Sequence, residues 1–148
     1  MKLHDLIRKW EGLSLVPYLC PAGVPTIGYG STVYPNGVKV TLDDPEISIT
    51  TAEIMMKMDA ARFWQGVGEV SPILWFHDNK QQAVADFAYN LGLSRYKAST
   101  LRRRIDEGDW EGAAAEFPRW VYGGGKKLPG LIARRQEEVL LFNKKDTT

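Results

Sequence analysis

Apolar residues recur along this chain with two different periods, and the change between them divides it. Leu3, Leu6, Ile7 and Trp10 are spaced for one face of a helix over residues 4–13, which Gly12 can end. A turn follows. In Pro21-Ala22-Gly23-Val24-Pro25 the prolines fix φ and the glycine accepts positive φ. Residues 26–30 read as a strand, because Thr26, Ile27 and Tyr29 favour a pleated surface. Gly28 and Gly30 between them mark close backbone approach or a bulge. Residues 33–40 predict a second hairpin turned at Asn36-Gly37. Residues 41–49, with Asp43, Asp44 and Pro45, look irregular.

From Thr50 onward the pattern is helical. Thr50 and Glu53 have capping-box spacing, with Thr50 as N-cap. The helix they open carries Ile54, Met55, Met58, Ala61, Phe63 and Trp64 toward Gly66-Val67-Gly68, the methionines serving as core filler. Asp78 or Asn79 caps the next helix, which presents Val84, Phe87 and Ala88 and ends near Asn90-Leu91-Gly92. Ser99-Thr100 caps a helix over 101–107 closed by Gly108, and Asp109 caps one over 110–117. Gly123-Gly124-Gly125 predicts a flexible loop. A last helix over 129–142 spaces Leu131, Ile132, Arg135, Val139 and Leu140 for one face, and 144–148 reads as a frayed tail. No repeat or low-complexity linker is visible. The layout is α+β, a small β-containing part followed by helices, which fits two lobes joined by the helix over 50–67.

Composition narrows the class. The chain has 148 residues, enough for one domain or one domain of two lobes. With 44% hydrophobic and 25% charged residues it has the balance of a soluble globular protein. No stretch approaches the length of a membrane span, so no stable membrane insertion is expected. Lys2, Asp5, Arg8, Lys9 and Glu11 interrupt any signal-peptide core, so the expectation is synthesis in the cytoplasm without a signal peptide. A single cysteine cannot form an internal disulfide. His4 and His77 lack companion ligands, so neither a metal nor a cofactor is expected. The formal net charge is +1, with Arg102-Arg103-Arg104, Lys126, Lys127, Arg134 and Arg135 in the later half. The three successive arginines point in different directions on a helix, so nucleic acid is not the expected partner. A basic patch suits a polyanionic surface such as a cell wall equally well.

Candidate chemistry concentrates in residues 10–32, which hold Glu11, the lone cysteine and several hydroxyls and glycines. Glu11 falls on the last turn of its helix, where the macrodipole disfavours a carboxylate. That misfit points to function rather than to structure.

Glu11-Gly12, Tyr18, Cys20, Gly23 and Thr26-Ile27-Gly28-Tyr29-Gly30 resemble the phage-type lysozymes, the endolysins of glycoside hydrolase family 24. The spacing from Glu11 by nine to Cys20 and by six more to Thr26 matches that family's Glu–Asp/Cys–Thr triad. Residues 87–92, 99–101, 117–120 and 130–138 resemble its later blocks, in order. The resemblance implies a lysozyme-like two-lobed fold, with a β-containing lobe over about 12–50 and a helical lobe over about 50–148 plus the N-terminal helix. It implies cleavage of the β-1,4 bond between N-acetylmuramic acid and N-acetylglucosamine in peptidoglycan. It also implies a monomer that reaches the wall and periplasm from the host cytoplasm once a holin has opened the membrane.

In that chemistry Glu11 is the general acid, and its pKa must be raised for it to act near neutral pH. Cys20 stands where many family members have Asp. It can be a thiolate base, a partner that positions water, or a nucleophile, against the plain alternative of a buried structural cysteine. Thr26 holds water by its hydroxyl, or is simply a β-branched strand residue. Gly28 and Gly30 would let the sugar chain or another backbone approach, or simply serve hairpin geometry, and Tyr29 between them is a candidate substrate contact. Asn90 is either an amide for an N-acetyl group or a helix C-cap. Trp120 could line a sugar site. Arg134 or Arg135 could reach Glu11 or serve its helix dipole or a solvated face. Two other functions compete. A lytic transglycosylase would give 1,6-anhydro products, and an inactive peptidoglycan-binding module would have lost catalysis along with its aspartate.

Overall fold

The structure, a computed structural model, describes residues 1–146. It contains two compact units, residues 1–61 and the chain from Arg62 onward.

The first unit begins with α1 (Lys2–Glu11), which buries Leu3, Leu6 and Ile7 and stops at Gly12, φ 72°. β1 (Ser14–Leu19) and β2 (Pro25–Gly28) form an antiparallel pair, with Tyr18 opposite Thr26 and Leu19 opposite Pro25. No sequence signal predicted β1. Its register is irregular between Ser14 and Tyr18, where Pro17 has no N–H to give to a ladder. β2 ends two residues before the predicted strand. Ile27 and Ser31 exchange backbone hydrogen bonds of 2.9 Å, reversing the chain over Gly28 (φ 68°) and Gly30 (φ 85°). The Asn36-Gly37 turn forms as expected, with Gly37 at φ 86°, but it closes only a single bridge between Val33 and Lys39.

α2 (Ile49–Val70) starts earlier than its capping box suggested. Ser48 is the cap: its Oγ accepts the Thr51 N–H at 3.0 Å. Glu53 is engaged elsewhere, by Arg8. The buried positions of α2 in this unit are Ala52, Met55, Met56, Asp59 and Ala60, a regular i, i+3, i+4 stripe. Ile54, Met58 and Ala61, expected inside, are exposed. Ile27, Val40 and Met55 form a core against which Tyr34 and Ile47 pack.

The second unit continues with a 3-10 turn at Pro72–Phe76, α3 (Asp78–Leu91), α4 (Leu93–Ala98), α5 (Thr100–Asp106) and α6 (Trp110–Glu116). A 3-10 turn at Phe117–Arg119, the short strands β3 (Tyr122–Gly123) and β4 (Lys126–Lys127), and α7 (Pro129–Asn143) complete it. α3 is buried on every side from Gln81 to Ala88. Phe87 makes edge-on contacts with Tyr96, Phe117 and Trp120. Ser99 and Asp109 cap α5 and α6 as expected, accepting the N–H groups of Arg102 and Gly112.

Four expectations change in this unit. α3 has no side-chain cap; Asp78 accepts from Gln82 instead, and the Asn79 N–H goes to Asp146. The three glycines belong to a tight hairpin between β3 and β4, with Gly124 and Gly125 at φ 58° and 79°, the left-handed pair a two-residue turn requires. The buried face of α7 is Arg134, Arg135, Glu138, Leu141 and Phe142, while Leu140 is exposed. Residues 144–146, expected to fray, hold Asn79 through Asp146 and the Lys144 and Lys145 carbonyls. The last two residues of that expected tail lie outside the described residues. Among the described residues no helix is long and apolar enough to cross a membrane.

Candidate active site

Glu11 is the last residue of α1 and is half-buried. The reversal after β2 brings Gly30 against it: a Cβ built on Gly30 would lie 3.7 Å from the Glu11 carboxyl carbon and from Oε2. With φ at 85°, Gly30 holds a backbone conformation that other residues adopt only with strain. The acid therefore faces bare backbone. Gly28 serves a different neighbour, since a Cβ there would meet Cβ of Ala52 at 3.4 Å and its Cα at 3.6 Å. It is the point where β2 touches α2.

The β1–β2 turn builds the second part. The Cys20 N–H donates to the Val24 carbonyl (3.1 Å) and the Gly23 N–H to the Cys20 carbonyl (2.8 Å). Thr26 is buried, and its hydroxyl donates to the same Val24 carbonyl at 2.8 Å. A hydroxyl has one proton, so this bond leaves the Thr26 oxygen as an acceptor. Cys20 is a free thiol, half-buried. Hydrogen bonds from the Val24 backbone and then the Ala22 backbone hold its pKa below the ordinary value against burial. The turn thus favours thiolate. Tyr18, two residues before Cys20 and opposite Thr26, is pushed up by burial, then by the charges of Glu11 and Cys20. Its phenol therefore lies in the electrostatic neighbourhood of both. In the sequence Tyr18 stands out only through the resemblance; its register with Thr26 depends on β1.

Tyr29 is buried and its phenol bonds the Glu53 carboxylate, which the Arg8 guanidinium, through a hydrogen bond stronger than the opposing cost of burial, holds below its ordinary pKa. In the helical unit Asn90 accepts a 2.7 Å hydrogen bond from Arg135 Nη2. Asn90 is not the C-cap; Gly92 is, at φ 97°. Arg134 and Arg135 are 3% and 1% exposed, which overturns the solvated-face reading. Arg134 grips Asp86 with Nε and Nη2 at 2.9 and 2.8 Å. Arg135 pairs with Glu138 at 2.8 Å and lies over the Phe87 ring. Trp120 is half-buried against Phe87. The buried acids Asp86 and Glu138 carry no signal in apolar spacing, because what admits them to the interior is their pairing with Arg134 and Arg135.

Similar proteins share this scaffold. An endolysin from Escherichia coli O157:H7 phage FAHEc1 superposes with a TM-score of 0.78 at 29% identity, covering 96% of this chain and 90% of its own. The muramidase domain of SpmX from Asticaccaulis excentricus gives 0.76 at 27% identity, covering 97% and 95%. The architecture is thus the lysozyme-like α+β fold. In sequence, the Bacillus phage PZA endolysin is 39% identical over 94% of this chain. The chain spans about half of that relative, 52% of its length. The endolysin of Acyrthosiphon pisum secondary endosymbiont phage 1 is 35% identical, covering 93% of this chain and 92% of its own. The phage lysozyme pattern matches residues 8–138, and the chain belongs to the phage lysozyme family.

Proposed function

We propose that this chain is a muramidase that hydrolyses the β-1,4 bond between N-acetylmuramic acid and N-acetylglucosamine in bacterial peptidoglycan and so lyses the host cell. One observation carries the reading: a half-buried Glu11 lies against Gly30 in the same unit as a turn that pairs a thiolate-favouring Cys20 with an acceptor hydroxyl at Thr26.

Glu11 protonates the leaving oxygen as the bond breaks. The bare backbone at Gly30 leaves room beside the carboxyl. Thr26 accepts a hydrogen bond from the attacking water, and Cys20, as thiolate, takes the proton that water loses. Tyr18, opposite Thr26 on β1 and subject to the charges of Glu11 and Cys20, belongs to the same site. In the helical unit the Asn90 oxygen is taken by Arg135, so its amide N–H groups are the ones offered to an N-acetyl carbonyl. Trp120, half-buried against Phe87, is the aromatic ring offered to a sugar. Arg134 and Arg135 act from the interior, through the side chains they hold. The substrate is the glycan strand, and no cofactor enters the reaction. Action as a monomer, release from the host cytoplasm through a holin and attack from the periplasm belong to the same proposal. Relatives named endolysin and SAR-endolysin support attack from the periplasm.

The test is clearing of a purified peptidoglycan suspension. Wild type should clear it, and Glu11→Gln should lose about 10²- to 10⁴-fold, the share of a general acid, with an unchanged circular dichroism spectrum. Equal clearing by both would remove Glu11 from the mechanism. Sedimentation of both with the wall, without clearing, would make the chain a binding module.

A further inference from the structure

We propose that Glu53 is a positioning residue for this reaction, one carboxylate that ties the helix carrying the general acid to the backbone that lies against that acid. The inference rests on the muramidase reading above.

Arg8 sits one turn before Glu11 on α1 and meets Glu53 on α2 as a two-pronged pair. Its Nε lies 2.8 Å from Oε1 and its Nη2 2.8 Å from Oε2. Its Nη1 reaches Asp5 at 3.0 Å. The same Glu53 carboxylate accepts the Tyr29 phenol. Tyr29 is buried and directly precedes Gly30, whose backbone abuts Glu11. The connections close a ring: Glu11 to Arg8 along α1, Arg8 to Glu53, Glu53 to Tyr29, Tyr29 to Gly30, and Gly30 back to Glu11.

A surface ion pair adds little to stability, and the Arg8 and Glu53 side chains are 33% and 26% exposed. A planar fork on a carboxylate does something else: it fixes orientation. Rolling α1 about its axis would swing the Glu11 carboxyl and would break both prongs. Shifting the reversal after β2 would move Gly30 and break the Tyr29 bond. Glu53 resists both motions, and sub-ångström placement of an acid is what the reaction rate depends on.

The test uses Glu53→Gln, Tyr29→Phe and the double variant, with kcat and KM measured on soluble glycan strands and hydrogen exchange followed at residues 8–12 and 28–31. Each single change should lower kcat about tenfold or more with KM nearly constant. The double variant should be no slower than Glu53→Gln alone, since both break one connection. Exchange should rise in both segments together in Glu53→Gln. A fall in Tm with kcat per folded molecule unchanged would make the pair merely structural and overturn the proposal. A raised KM in Tyr29→Phe, with losses that multiply in the double variant, would make Tyr29 a substrate contact and overturn it equally. Inactivity of the wild type would sink the muramidase reading instead, and unchanged exchange in Glu53→Gln would still refute the tie.

Discussion

Arg134→Met is the sharpest probe of the helical unit. Asp86 is fully buried and takes Nε and Nη2 of Arg134 at 2.9 and 2.8 Å. Burial pushes the Asp86 carboxyl up, but the hydrogen bond from Glu138 and the Arg134 guanidinium outweigh it and hold Asp86 below its ordinary value. Methionine keeps most of the side-chain volume and removes the charge, which leaves an ionised carboxylate in the interior without its main partner. Breaking a buried pair from one side costs about 3–5 kcal/mol. For a chain of this size that is about 6–20 °C in Tm. Thermal and urea unfolding at pH 7 read it directly. The double change Arg134→Met and Asp86→Leu should recover most of the loss, because apolar packing replaces the buried pair while Glu138 keeps Arg135. A single-variant loss within about 1 kcal/mol, the range of an exposed pair, would refute the claim that Arg134 neutralises a buried acid.

Three further outcomes follow from particular contacts. Burial, then the hydrogen bond and charge of Asp86, push Glu138 well above its ordinary value of 4.5. Its stabilising contribution is therefore complete below 4.5 and is lost as pH rises through the folded value. Glu138→Gln, which can still donate to Asp86 but cannot ionise, should lose less Tm than wild type as pH rises above 4.5; parallel curves would contradict the upward shift of Glu138. Ser48→Ala should destabilise by about 0.5–2 kcal/mol, the value of an N-cap, and Thr50→Ala by far less; the reverse order in urea melts would restore Thr50 as the cap. Cys20 should react with iodoacetamide with a pH midpoint below that of an ordinary thiol, and alkylation should abolish clearing in step with modification. Full activity of the alkylated protein, verified by mass spectrometry, would remove Cys20 from the site.

Where local chemistry decided the structure, the sequence was legible. Gly12 stops α1, Ser99 and Asp109 cap their helices, and Asn36-Gly37 turns the chain, each through a property of one or two residues. The reading failed where a distant partner decided. Glu53 has capping-box spacing, yet Arg8, forty-five positions away, holds it. Met58 belongs to an apolar run, but the stripe that α2 buries passes through Met55 and Met56. In α7 the interior is filled by Arg134, Arg135 and Glu138, because Asp86 on α3 makes burial of charge tolerable there. Apolar spacing cannot reveal such a cluster. The triad spacing marked Glu11, Cys20 and Thr26, but the single proton of Thr26, committed to Val24, is visible only in the folded turn.

The central claim is that water, activated beside Cys20 and Thr26, attacks as Glu11 protonates the leaving sugar. Purified peptidoglycan digested in ¹⁸O-water and analysed by mass spectrometry tests it most directly. The account predicts muropeptides ending in reducing N-acetylmuramic acid that carry one ¹⁸O, absent with Glu11→Gln. Unlabelled 1,6-anhydromuramic ends would contradict it, because the attacking oxygen would then have come from the sugar itself.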